Sequence, residues 1–287
     1  MVDIIHGATG AQGSPVLSAL TAAGRTAIAA VRHPEAVPDG IAARQVDLAS
    51  ADSLASAYEG ADGVFVHLPM GAPETAAAQA RAVVEAVTRA RPGRVVISTS
   101  GQIVDRPDSP LQATADSPIM TLIDGVTGSG VPTAVVAPRL YLENLLLPVV
   151  LAPAHQEGVL RYPLPASFPV SWSSHLDVAD VVARLLMDTS VSGTVAVGHR
   201  PGLTGADLAA AFSNHLGREV HFEAITPEAF GGLITPLFGP AAAPVVELYR
   251  ALNAQDGCII AEDSSAQELL GLRPRPIEQW LKDLAVS

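Results

Sequence analysis

The sequence is poor in the side chains that most often do chemistry unaided. Among its 287 residues Cys258 is the one cysteine and Lys282 the one lysine. A single cysteine excludes an intramolecular disulfide, and its spacing from the histidines matches no zinc pattern, so no metal site is expected. A single lysine leaves one position for an amine nucleophile or a lysine-assisted acid. Apolar stretches are interrupted by proline, glycine or charge before the roughly 18 residues a membrane span needs. No basic segment leads into an apolar core near Met1, and a cytoplasmic chain without a membrane partner is expected. Basic residues are outnumbered, 17 against 29, for a net charge of -12. That field repels nucleic-acid phosphates, and no Lys/Arg run offsets it, so no nucleic-acid partner is expected. The chemistry is left to an organic cofactor and a small-molecule substrate.

What the chain has is alternation. Short apolar runs at Val2–His6, Thr26–Val31, Ala42–Val46, Gly63–Leu68, Arg94–Thr99 and Thr133–Ala137 are separated by helical patterns at Ser14–Ala23, Ser50–Tyr58, Pro73–Ala90 and Pro118–Ser129. Strand and helix in turn mean a parallel sheet with crossover helices. The expected fold is α/β, a Rossmann-type doubly wound parallel sheet over residues 1–150, with a smaller, mainly helical lobe over 151–287 for substrate. Proline-rich stretches such as 162–165 and 167–169 read as loops over a cleft. Helical spacing at Val178–Met187 and a strand at Gly193–Val197 predict that about 174–198 returns to the first domain.

The first strand runs into Gly7-Ala8-Thr9-Gly10-Ala11-Gln12-Gly13 and then into a helix. Glycines here permit a tight turn and close approach of backbone to a pyrophosphate, which the helix N-terminus attracts. Gly7, Thr9, Gly10, Gln12 and Gly13 are therefore candidate cofactor contacts. At the end of the second strand, where an acidic residue would bind ribose hydroxyls, the chain has Arg32. A guanidinium pairs with a 2′-phosphate, so NADP(H) is expected over NAD(H). Asp47 has two readings, a bond to the adenine amino group or a cap for the next helix.

These residues, with Tyr141-Leu142-Glu143-Asn144-Leu145-Leu146, His175-Leu176-Asp177-Val178-Ala179-Asp180, Ser264-Ser265-Ala266-Gln267-Glu268-Leu269-Leu270-Gly271 and Pro276-Ile277-Glu278-Gln279-Trp280, resemble the NmrA-like branch of atypical short-chain dehydrogenases/reductases. The resemblance spans nearly the whole chain. It implies a Rossmann core, NADP(H) and a small C-terminal lobe, in a family that includes redox-sensing regulators, quinone reductases and natural-product reductases; a homodimer is a family-level implication. Short-chain dehydrogenases usually protonate through a Tyr-x-x-x-Lys pair, which is absent here. Some relatives keep a lysine at the start of the helix before Gly130-Val131-Pro132, where this chain has Pro118-Ile119-Met120-Thr121.

Ligands in open α/β sheets bind beyond the carboxyl ends of the strands. That places His67, Leu68, Pro69, Ser98, Thr99 and Ser100 beside the nicotinamide, with Tyr141 as the available phenolic acid. Each has a plain alternative: a satisfied histidine, hydroxyls bonded to backbone, a tyrosine packed at a helix start. His155 and His175 lie in or near the loops, and Asp177 and Asp180 read as helix-start carboxylates. Phe168, Trp172, Phe230, Leu237, Phe238 and Tyr249 either line an apolar pocket or pack a core. The expected function is NADPH-dependent hydride transfer to a largely apolar enone, quinone, iminium or activated ketone, with Tyr141, His67 and Ser100 as catalytic candidates. Two alternatives stand beside it: a non-catalytic NADP(H) sensor with a protein partner, and a non-redox isomerase or cyclase.

Overall fold

The computed structural model describes residues 1–286, which divide into two units. The first comprises Met1–Pro138, His175–Val197 and Asp263–Leu272. It opens with β1 (Val2–His6), α1 (Gly13–Ala22), β2 (Thr26–Val31), β3 (Ala43–Gln45), α2 (Ala51–Tyr58), β4 (Gly63–His67), α3 (Pro73–Ala90), β5 (Val95–Ser98), α4 (Pro118–Gly128) and β6 (Thr133–Pro138). The chain then enters the second unit for α5 (Pro148–Glu157) and β7 (Val159–Tyr162), and returns to the first for α6 (His175–Met187) and β8 (Gly193–Val197). The seven strands of the first unit run β3-β2-β1-β4-β5-β6-β8, all parallel. This is the doubly wound order that reverses direction beside β1, lengthened by one strand.

Local chemistry sets the element ends. Every residue of β5 and β6 is buried, as expected of a parallel strand covered on both faces. Ser50 and Ser117 cap α2 and α4, each side chain accepting from the backbone N–H three residues on. Val64, Val66, Val95 and Ile97 meet Leu54, Val83, Val87 and Leu122 in one apolar layer between sheet and helices. At the amino end of the sheet the Arg25 guanidinium donates to both carboxylate oxygens of Asp3, at 2.7 and 2.6 Å, and both side chains are buried.

The second unit, Arg139–Ser174, Gly198–Glu262 and Arg273–Ser287, adds α7 (Gly205–Leu216), β9 (His221–Ala224), α8 (Pro227–Phe238) and α9 (Ala242–Asn253). The short α10 (Ala266–Leu270) belongs to the first unit, and α11 (Ile277–Asp283) to the second. The mainly helical lobe expected from sequence also holds a small sheet, because β7 pairs in parallel with β9. Tyr162, expected in a loop, is the last residue of β7 and is fully buried.

One helical run of the described residues, Pro227–Asn253, is long and apolar enough to cross a membrane by length and composition. A 3-10 turn at Gly239–Ala241 divides it, and the two halves lie against each other. Arg250 Nε donates to Glu228 at 2.7 Å, and a Cβ added to Gly231 would come within 2.4 Å of Val246 Cγ2. The run is a helical hairpin rather than a straight rod. Leu233, Leu237 and Phe238 remain exposed on it.

Candidate cofactor site

The turn between β1 and α1 needs its glycines for two separate reasons. Gly7 has a φ of +60°, and a Cβ on it would meet His67 Nε2 at 2.3 Å. Gly13 begins α1, and a Cβ there would lie 2.3 Å from the carbonyl oxygen of Gly7. The first is a conformational requirement that also fits a ring, the second a backbone-to-backbone approach. Gly10 N–H donates to Gly7 O at 2.8 Å, closing the turn. Thr9 and Gly10 are exposed, and the first turn of α1 contains no acidic residue. A helix N-terminus without a carboxylate favours an anion. The close-packed glycines and this charge pattern fit a dinucleotide.

Beyond β5 the chain turns sharply. Ser100 and Gly101 have φ of +54° and +89°, and Gln102 N–H donates to Thr99 O at 3.0 Å. Positive φ at both central residues is the pattern of a type I′ turn. The turn brings Ser100 back toward Ser98, whose Oγ accepts from Ser100 N–H at 3.2 Å. Ser98 in turn donates to Gln12 Oε1 at 2.8 Å, and Gln12 Nε2 donates to Ser100 Oγ at 3.0 Å. Three sequence candidates, 86 and 88 residues apart, therefore share one hydrogen-bonded group. Thr99 Oγ1 is buried without a partner among the described residues.

His67 ends β4 beside Gly7, and its Nε2 is buried without a partner among the described residues. Burial holds its pKa below the usual histidine value. Two histidines that sequence reading placed elsewhere or passed over share this region. His6 is fully buried with Tyr58 Oη 2.7 Å from its Nε2, and burial, then the neighbouring His67, push its pKa down to about 3. His175, at the start of α6, is pushed down to about 4 by burial and then by His67. All three are neutral near pH 7. The signal for His6 was its place between a buried strand and the glycine turn.

Arg32 follows β2 and is exposed; its carbonyl accepts from Gln45 Nε2 at 3.3 Å. Asp47 follows β3, and its side chain accepts from Ala49 N–H at 2.9 Å while Ser50 caps α2. The carboxylate thus organises its own turn rather than the helix start. Leu68 is half-buried and Pro69 exposed, immediately after β4.

Tyr141 belongs to the second unit, half-buried ahead of the 3-10 helix Leu142–Leu146 and bridged to Ser173. In that unit Phe168, Trp172, Phe230 and Tyr249 are buried, three of them packed around Tyr162 with ring centroids 5.5 to 5.7 Å away. They are core, as their size and burial favour. Leu237 and Phe238, grouped with them by sequence, are exposed instead. His155 gives its carbonyl to Arg218 at 2.6 Å. Among the described residues no cluster of His, Cys, Asp and Glu is arranged to hold a metal.

Comparison with known proteins extends the fold. The NAD(P)H azoreductase of Xenophilus azovorans is 30% identical over 230 residues, 78% of this chain and 77% of the azoreductase. The triphenylmethane reductase of Citrobacter sp., solved with NADP(H), is similar with a TM-score of 0.77 at 20% identity, covering 98% of this chain and 99% of that one. The NADPH-dependent quinone oxidoreductase of Escherichia coli, solved with NADPH, gives 0.76 at 20% identity, covering 99% and 100%. A nucleoside-diphosphate-sugar epimerase of Staphylococcus aureus gives 0.79 at 19% identity, covering 98% and 100%. A family model matches residues 3–281, and the chain belongs to the NmrA-like family.

Proposed function

We propose that this chain is an NADP(H)-dependent reductase, cytoplasmic, that passes a hydride to a small, largely apolar electrophile such as a quinone, enone, iminium or activated ketone. The observation that carries the reading is the β1–α1 turn, where Gly7 and Gly13 are too closely approached for any side chain. Family membership supports it, and so do the names of the relatives, which act on azo compounds, triphenylmethane dyes and quinones. All three are electron-poor conjugated acceptors.

Gly7, Thr9, Gly10, Gln12 and Gly13 would hold the pyrophosphate, Arg32 the 2′-phosphate, and Asp47 the adenine edge. His67, Leu68, Pro69, Ser98 and Thr99 would flank the nicotinamide. When bound, the dinucleotide supplies the hydride. Tyr141, His67 and Ser100 are the groups offered for proton transfer or for holding the acceptor. The missing Tyr-x-x-x-Lys pair fits this substrate class. A quinone or enone delocalises the incoming charge and an iminium loses it, so neither demands a strong enzyme acid.

The test is calorimetric binding of NADPH and NADH, followed on the same sample by absorbance of the reduced nicotinamide with quinones, azo dyes, enones and iminium salts. Tight NADPH binding with acceptor-dependent oxidation is the expected result. Tight binding without oxidation favours a sensor, which the missing Tyr-x-x-x-Lys pair also fits, or a non-redox enzyme. No NADPH binding overturns the proposal. Replacing Tyr141 with Phe removes the phenol from the mechanism if turnover is unchanged.

A further inference from the structure

We infer that Gln12 and Ser98 are positioning residues that fix the Ser100 hydroxyl as a hydrogen-bond donor toward an acceptor atom of the bound dinucleotide. The inference rests on the reading of the first unit as an NADP(H) site.

Ser98 is fully buried, and its Oγ has two hydrogen-bond neighbours among the described residues: the Ser100 N–H at 3.2 Å and the Gln12 side chain at 2.8 Å. The N–H can only donate, so Ser98 accepts there. Its own proton needs an acceptor, since a buried hydroxyl proton without one is left desolvated and unpaired. Gln12 Oε1 supplies it. An amide cannot present oxygen to both serines, and the end that reaches Ser100 Oγ at 3.0 Å is therefore the donor nitrogen. The three bonds run head to tail in one chain that begins at the Ser100 N–H, passes through Ser98 and Gln12 and ends at Ser100 Oγ, and successive bonds in such a chain reinforce each other. Ser100 Oγ is thereby committed as acceptor at the end of the chain, and its proton is left to point out of it.

Two features direct that proton to the dinucleotide. Gln12 sits between Gly10 and Gly13, so the residue that orients Ser100 is part of the phosphate turn itself. Ser100 is also held at a φ of +54°, a conformation that non-glycine side chains rarely take and that persists where surroundings impose it. Acceptor atoms of the nicotinamide half, its carboxamide carbonyl and ribose oxygens, are the class of partner that a lone hydroxyl donor recognises.

The experiment is a double-mutant cycle on NADPH affinity. Dissociation constants are measured calorimetrically for the wild type, Ser98→Ala, Ser100→Ala, the double variant and Ser98→Thr, with unfolding midpoints confirming that each is folded. Ser100→Ala should weaken NADPH about five- to tenfold, the worth of one hydrogen bond. Ser98→Ala frees the amide to turn and accept from Ser100, and should weaken NADPH about threefold or more. The double variant should bind no worse than Ser100→Ala, because an orienting residue has nothing left to orient. Ser98→Thr keeps the hydroxyl and should restore affinity. Additive losses, or a Ser98→Ala variant that binds as well as the wild type, overturn the inference while leaving the NADP(H) reading intact. Failure of the wild type to bind NADPH overturns both.

Discussion

The two ends of the seven-stranded sheet treat buried polar groups in opposite ways. At the amino end, Asp3 and Arg25 are closed on each other in a two-point ion pair. At the carboxyl end, His6 Nδ1, His67 Nε2 and Thr99 Oγ1 are buried with no partner among the described residues. Arg94 is the exception at the amino end: one nitrogen donates to Val191 O, and Nε and Nη1 have none. A fold tolerates unsatisfied polar atoms where a ligand or water completes them and pairs them elsewhere.

The sharpest way to break the contrast is Gly13→Ala. A methyl 2.3 Å from the Gly7 carbonyl forces backbone apart, and the expected cost is about 3 kcal/mol or more, divided between stability and NADPH binding. Calorimetry beside a denaturant curve reads both; a variant unchanged in each would show the turn to be loose. Asp3→Ala should act at the other end alone. Leaving Arg25 buried without its partner is expected to cost about 3 kcal/mol of unfolding free energy, with NADPH affinity unaltered in the folded fraction. A parallel fall in affinity would mean that the two ends are not separable.

Acidification should expose the carboxyl end. His6 and His175 titrate near 3 and 4 when folded, against about 6.5 unfolded. Below pH 6.5 the unfolded chain takes up protons that the folded chain refuses, so stability falls as pH drops toward 4. Each histidine contributes up to about 1.4 kcal/mol per pH unit in that window. His6→Gln should reduce the slope, and denaturant midpoints that do not move between pH 6.5 and 5 would contradict the buried neutral state. The smallest effect is expected at the exposed Arg32. Arg32→Glu should weaken NADPH about tenfold, or about 1.4 kcal/mol, and leave NADH nearly unchanged. Equal losses for both cofactors would remove the 2′-phosphate assignment.

Much of the first unit was legible because its physics is local. Strands of a covered parallel sheet are short, largely apolar runs, so Val2–His6, Thr26–Val31 and Gly193–Val197 were placed to the residue. Pro73 at a helix start marked α3 equally well, whereas the caps Ser50 and Ser117 were not read from the sequence. The second unit was less readable, since Val159–Tyr162 and His221–Ala224 have four residues each, too few to display a period, and pair across distant sequence. The glycine turn could be read as a pattern. The partnership of Gln12 with Ser98 and Ser100, and the burial of His6 against Tyr58, depend on register between strands, which one sequence does not state.

The strand order also sets a timetable for synthesis. β6 is complete at Pro138, but its outer neighbour β8 begins only at Gly193, and the last piece of the first unit ends at Leu272. A nascent chain emerging from the ribosome therefore carries the edge of β6, whose residues are all buried in the finished fold, uncovered while more than fifty residues are made. A fragment ending before β8 retains that edge permanently, and aggregation rather than a smaller working domain is what such a truncation should yield.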